Sequence, residues 1–250
     1  MMLAPLLLAT PALAFDWTIG AGAGYAPDYE GSADYEAVPL WSLRAAGLYA
    51  PTTYIEIFAT KLTSNLVPHP NLRLGPLVEY IPKRGHVQNS AVDDLKNVDP
   101  ALMLGGLLGW DFVDAPAQTL GVEVQARVDV ADGHGYLVTP AMRLRRVVAG
   151  PWVLAGALVG TYASGDYMSD YFGVDAANAA RSGLDRYDAH AGFKDAGVDL
   201  ALGFGQGPGW RANLIGRYRR LLDDAADSPI VEDGGDRDQY FAGVVVGYRF

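Results

Sequence analysis

The segment LGVEVQARVDV, residues 120–130, sorts its side chains by parity. Leu120, Val122, Val124, Ala126, Val128 and Val130 make one face. Gly121, Glu123, Gln125, Arg127 and Asp129 make the other. A side-chain period of two is that of a β-strand. The polar residues of the second face cannot enter a dry core without partners, so the strand has one apolar face and one wet or ion-paired face.

The same pattern recurs along the chain. In 16–25, Trp17, Ile19 and Tyr25 oppose Asp16, Thr18 and a run of glycines. In 71–80, Leu72, Leu74, Val78 and Tyr80 oppose Arg73, Gly75 and Glu79. In 194–204, Val198, Leu200, Leu202 and Phe204 oppose Asp195 and Asp199. In 209–221, Trp210, Leu214 and Tyr218 oppose Arg211, Arg217 and Arg219. In 239–250, Tyr240, Val244, Val246, Tyr248 and Phe250 oppose Gln239, Gly243, Gly247 and Arg249. Further strands fit 36–45, 53–63, 99–113, 136–148 and 152–163, the last alternating poorly. Short Gly, Pro and Asp clusters at 114–117, 132–135, 149–151 and 205–209 supply the reversals. Three polar connections are long: 82–98, 165–190 and 223–237. Single helical turns are expected within them near 90–96 and 175–181, the first on a Ser90-x-x-Asp93 capping pattern.

Alternating strands in this number build a soluble sandwich or a membrane barrel. Three features select the barrel. Several polar faces carry Arg and acid together, which suits a hydrated lumen. Aromatics gather near strand ends on the apolar face, as interfacial girdles do. Long connections alternate with short ones, as they do between the two ends of an outer-membrane barrel. Eleven strands are distinct, and closure with both ends periplasmic requires an even number. The stretch 36–63 must then hold three strands, with an extra hairpin near RAAGLYAPTTY (44–54). The expected fold is a closed antiparallel transmembrane β-barrel of about twelve strands, all-β, with long external loops and short periplasmic turns. No unpaired strand edge is tolerated in hydrocarbon. The first and last strands are therefore expected neighbours, and their inward glycines should leave room in the lumen at the seam.

Composition narrows the rest. A net charge of −10 lacks the basic footprint of a nucleic-acid binder. The absence of cysteine excludes disulfides and thiolate metal sites. No later apolar run is long enough for a transmembrane helix. MMLAPLLLATPALA, residues 1–14, reads as a signal peptide cleaved after Ala14, although it lacks a basic n-region. Residues 15–250 are then the mature barrel.

Several stretches resemble the MltA-interacting protein (MipA/OmpV) family of outer-membrane proteins. They are GAGAGYAPDYEGSADYEAVPL (20–40), SDYFGVDAANAARSGL (169–184), RRLLDDAADSPIV (219–231) and the terminal VGYRF. The resemblance implies a barrel in the bacterial outer membrane acting as a scaffold or envelope-interaction protein, linking murein-hydrolysing and murein-synthesising enzymes at the peptidoglycan. The alternatives are a porin-like narrow channel for small solutes, or an adhesin acting through the external loops.

No catalytic, cofactor or metal residues are expected. His69, His86, His134 and His190 fall in turns, loops or strand mouths, without a G-x-S-x-G or H-E-x-x-H pattern. The residues expected to line the lumen are Arg73, Glu79, Glu123, Arg127, Asp129, Arg143, Arg145, Asp195, Asp199, Arg211, Arg217, Arg219 and Arg249. They form either an open polar pore or an ion-pair network filling a narrow barrel. Tyr167, Tyr171, Phe172 and Val174 are apolar groups in a polar external loop, expected to fold back into the barrel mouth; the alternative is that they contact something outside. Tyr248 and Phe250 place a terminal aromatic on the lipid face and resemble the signal read by the barrel assembly machinery. The expected partners are outer-membrane lipid, that machinery and murein enzymes; the chain is expected to be a monomer.

Overall fold

A computed structural model describes residues 16–115 and 117–250; the proposed signal peptide and Phe15 lie outside them. Twelve antiparallel strands close into one barrel: β1 (Asp16–Pro27), β2 (Tyr35–Ala46), β3 (Tyr54–Phe58), β4 (Lys61–Asn65), β5 (Leu72–Ile81), β6 (Ala101–Ala115), β7 (Gln118–Asp129), β8 (Tyr136–Ala149), β9 (Trp152–Ala163), β10 (Gly192–Phe204), β11 (Gly209–Leu221) and β12 (Asp238–Arg249). Each strand pairs with its sequence neighbours, and β1 pairs with β12 from Thr18↔Arg249 to Tyr25↔Ala242.

Inward and outward positions alternate. Trp17, Ile19, Leu74, Tyr80, Val122, Val124, Leu158, Leu200, Trp210, Leu214 and Val244 all point out and are exposed. The poorly alternating β9 follows the same rule, with Trp152, Leu154 and Leu158 outside. Aromatics meet across strands near both rims: Tyr25–Tyr35 at one end, Trp152–Phe204 and Trp210–Tyr248 at the other. Phe250 is 65% exposed, and its N–H donates to the Trp17 carbonyl.

Three departures from the sequence reading matter. The stretch 53–63 is not one strand. β3 and β4 form a short hairpin reversing at Ala59–Thr60, just beyond the expected place. The β1–β12 seam does not leave free room. A Cβ on Gly24 would meet the Phe241 ring, and one on Gly22 would collide with the Val244 carbonyl. Glycine here permits close strand approach, and neighbouring side chains fill the space. The external loops are more helical than expected: α1 (Ser90–Asp93), α2 (Gly165–Phe172), α3 (Ala176–Ser182), α4 (Asp223–Ala226) and α5 (Pro229–Glu232). The first of these is capped by Asn89, whose side chain accepts from Val92 N, rather than by Ser90.

The dry core sits in the external mouth. Phe172, Met168, Tyr167 and Tyr171 of α2 pack with Ala225, Ala226 and Val231 on the inward tops of several strands (Met103, Leu137, Ala163 and Leu221). A second cluster above it joins four loops through Tyr29, Val92, Leu95, Val174, Leu184 and Ile230.

Candidate lumen and outer vestibule

The lumen is lined by ion pairs that bridge strands. Arg73 lies between Asp111, at 3.3 Å, and Glu123, and all three side chains are about nine-tenths buried. Glu123 also accepts from Arg143, at 2.9 Å, and from Gln125, at 2.6 Å. Higher up, Glu79 pairs with Arg127 at 2.6 Å and Lys61 at 3.5 Å. On the β10–β11 wall, Asp199 takes Arg217 at 3.1 Å and Arg219 at 2.8 Å, while Arg219 also reaches Asp195 at 3.7 Å. Arg249 pairs with Asp16 at the lower rim. Arg145 shares the parity of Arg143, lies toward that rim and is exposed.

Two of the expected lining residues have other partners. The Asp129 carboxylate accepts the N–H groups of Leu102, Ala131, Asp132 and His134, fixing the β7–β8 turn. The Arg211 guanidinium donates to the carbonyls of Gly205 and Gly207, closing the β10–β11 turn.

Three charged groups of the lumen escaped the sequence reading. Lys194 is the extra residue of a β-bulge between Phe193 and Asp195. The bulge turns Lys194 and Asp195 both inward, where strict alternation would send one out. Lys194 is buried and held by Asp195, at 2.6 Å, and by Glu30 of the first loop. Asp111 precedes a similar irregularity in β6. Lys61 faces inward because of the unforeseen reversal at 59–60.

The loop aromatics are inside. Tyr167, Tyr171, Phe172 and Val174 are between 0% and 5% exposed. The rings of Tyr167 and Tyr171 stack at 4.2 Å, and the Tyr167 hydroxyl donates to Glu30 at 3.0 Å. Burial, then the Glu30 carboxylate, pushes the Tyr167 phenol well above its usual value. Burial likewise pushes Tyr29 up to about 12. Both phenols therefore stay neutral and act as donors or packing groups. Arg84 donates to the Tyr171 carbonyl at 2.6 Å, and Ser228 to that of Phe172 at 2.6 Å, so three loops grip α2.

Beneath this cap lies a cavity of about 710 Å3. It runs from Tyr29 and Tyr171 at the top to Glu123, Arg143 and Arg217 at mid-height, lined by acids and bases in near balance. A cavity of this size and polarity has room for water and small polar molecules. A smaller one, about 190 Å3, lies among the loops beside His134 and Asp170, which are 2.7 Å apart. Among the described residues no cluster of His, Asp and Glu could hold a metal ion.

Comparison with known proteins agrees with this architecture. The translocator domain of the autotransporter NalP from Neisseria meningitidis is 13% identical, with 98% of this chain and 91% of that chain covered and a TM-score of 0.51. The NanC porin is 10% identical over 95% of this chain and 100% of that chain, with a TM-score of 0.48. An outer-membrane channel from Pseudomonas putida F1 is 10% identical over the full length of both chains, with a TM-score of 0.46. At 13% identity the likeness to the NalP domain is one of fold. No curated protein matches the chain by sequence. The family model described as MltA-interacting protein MipA matches residues 19–250. With its closed barrel and outward apolar belt, the chain is an outer-membrane β-barrel and belongs to the MltA-interacting protein MipA family.

Proposed function

We propose that this barrel is a non-enzymatic, narrow conduit for small polar solutes, capped outside by its loops and constricted at mid-height by ion pairs. The vestibule carries the reading: its wall bears paired charges of both signs. Balanced pairs disfavour strong selection by charge and favour small neutral or zwitterionic solutes. The belt of exposed aliphatic and aromatic side chains contacts outer-membrane lipid, and the paired β1–β12 seam lets the barrel stand as a monomer. Against catalysis, His134 is packed against the Tyr171 ring at 5.9 Å and its Nε2 is buried without a hydrogen-bond partner. Planar-bilayer recording tests the conduit. Steady small conductance, with ion preference altered by Arg217→Glu, is expected; silence of the refolded barrel refutes it.

A scaffold role is the second reading, favoured by the description of the family as MltA-interacting. Most periplasmic turns are short. The connections 47–53 and 66–71 are the exceptions, joined where the Tyr49 hydroxyl donates to the Leu66 carbonyl. Tyr49 is 53% and Leu66 38% exposed, so a periplasmic partner would dock there. Pull-down of a lytic transglycosylase, lost in a Tyr49→Ser, Leu66→Ser variant with an intact barrel, would favour the scaffold.

A further inference from the structure

The short β3–β4 hairpin leaves a gap in the barrel wall. β2 pairs with β3 only from Ser42 to Ala46, and β4 pairs with β5 only from Lys61↔Glu79 to Thr63↔Leu77. The hairpin tip is tied on either side, Ala59 N–H to the Trp41 carbonyl and Tyr80 N–H to the Thr60 carbonyl, both at 2.9 Å. Above it, no described strand pairs with the free edge of β2. Three inter-strand spacings separate β2 from β5, about 14 Å. The gap is roofed where the loop after β5 crosses back: Gln88 N–H donates to Asp28 Oδ2 at 2.7 Å and Gln88 Nε2 to the Tyr35 carbonyl at 3.4 Å.

We propose that this gap is a hydrated lateral window through which small amphipathic molecules pass between the outer leaflet and the vestibule. Backbone groups alternate sides along a strand, so Ala37 and Pro39 project toward the gap, as Trp41 does. Unpaired backbone cannot face hydrocarbon; at membrane depth it survives only where it is buried in protein or lines a water-filled cavity. Pro39 removes one donor from that edge, a known device of edge strands. Water is at hand, because the vestibule is lined by Glu36 and Val38 on one side of the gap, Lys61 at its floor, and Ile81 and Lys83 on the other. The tyrosines of the upper girdle flank it, with Tyr25 and Tyr35 stacked at 5.5 Å on one side and Tyr80 on the other. The window thus opens at the level where amphiphiles hold their polar groups. Val38, Pro39 and Ile81 offer an apolar frame to a hydrocarbon body, and the charges inside receive the polar end.

The inference rests on a hydrated vestibule but not on a path through to the periplasm. The cysteine-free chain permits single nitroxide labels through Val38→Cys and Gln125→Cys in lipid bilayers. The label at 38 is expected to be relaxed both by an aqueous nickel chelate and by a lipid-anchored one, that at 125 by the aqueous chelate alone. A label at 38 blind to the lipid-anchored chelate overturns the window, whatever the conductance. A second variant lengthens the hairpin by four residues between Ala59 and Thr60, filling the gap. Entry of an apolar dye, N-phenyl-1-naphthylamine, from the bilayer into the vestibule is expected to be lost while a label at 125 stays open to the aqueous chelate. Unchanged dye entry in a folded, heat-modifiable variant also overturns it.

Discussion

Replacing Arg73 with methionine separates a buried ion network from the more hydrated one on the opposite wall. Arg73, Asp111 and Glu123 are 9%, 10% and 8% exposed, so the guanidinium serves two carboxylates largely removed from water. Removing one partner of a fully buried pair costs about 3–5 kcal/mol. Here Glu123 keeps Arg143 and Gln125, and the lumen admits water above, so the cost falls to or below the bottom of that range, about 2–3 kcal/mol. Arg217 is 50% exposed, and its partner Asp199 keeps Arg219. Arg217→Met should cost under about 1 kcal/mol, as half-exposed pairs do. Both variants, refolded into lipid vesicles, would be unfolded in urea and followed by tryptophan fluorescence and by heat-dependent gel mobility. With a slope of about 2 kcal/mol per molar urea, Arg73→Met should lower the midpoint by about 1 M and Arg217→Met by under about 0.5 M. Equal midpoints for the two variants would refute the reasoning, since burial and the number of carboxylates served both favour the larger loss at Arg73.

Other outcomes follow from single positions. Val124→Lys, on the lipid face near mid-strand, should cost about 2–4 kcal/mol in the same titration, and its lumen neighbour Gln125→Lys clearly less. Gly22→Ala should weaken the β1–β12 seam by about 1–3 kcal/mol, because the new methyl meets the Val244 carbonyl. Phe172→Ala should loosen the cap while sparing the barrel, seen as faster proteolysis within 164–191 at unchanged barrel melting. The N–H of His190, at 2.7 Å, and then its imidazole, hold the Asp224 carboxyl below the usual carboxylate range. A depressed folded value stabilises above the unfolded pKa, about 4, and the contribution is lost as pH falls through the folded value. Amide exchange in 186–192 should therefore accelerate below that pH in the parent, and Asp224→Asn should remove the pH step.

The barrel itself was legible because lipid outside and water inside impose a period of two on every long strand. Where that constraint is locally broken, the sequence was silent. Lys194 was missed because a bulge, which nothing in GFKDAG announces, places it beside Asp195. The 54–65 hairpin was misplaced because its turn, Ala59–Thr60, contains no Gly, Asn or Pro; Ala59 takes a φ of 48°, uncommon for a residue with a Cβ. Asp129 and Arg211 have the parity of lumen residues, but each lies at a strand end, where the nearest unsatisfied groups belong to the turn. That Tyr167, Tyr171, Phe172 and Val174 need shielding was readable from polarity; that the barrel mouth supplies it, rather than something outside, comes from the packing. The α2 helix that presents them was not, since eight residues with little propensity signal depend on packing and on the Ser164 cap.

The central claim is that a hydrated lumen lies under the loop cap and leads through the barrel. Its most direct test is thiol modification of the single-cysteine variant Gln125→Cys, at mid-lumen, by a small impermeant methanethiosulfonate, in oriented proteoliposomes. The account predicts reaction from both sides of the membrane, with Val124→Cys one residue away unreactive from either. Protection of position 125 from one side or both would contradict it.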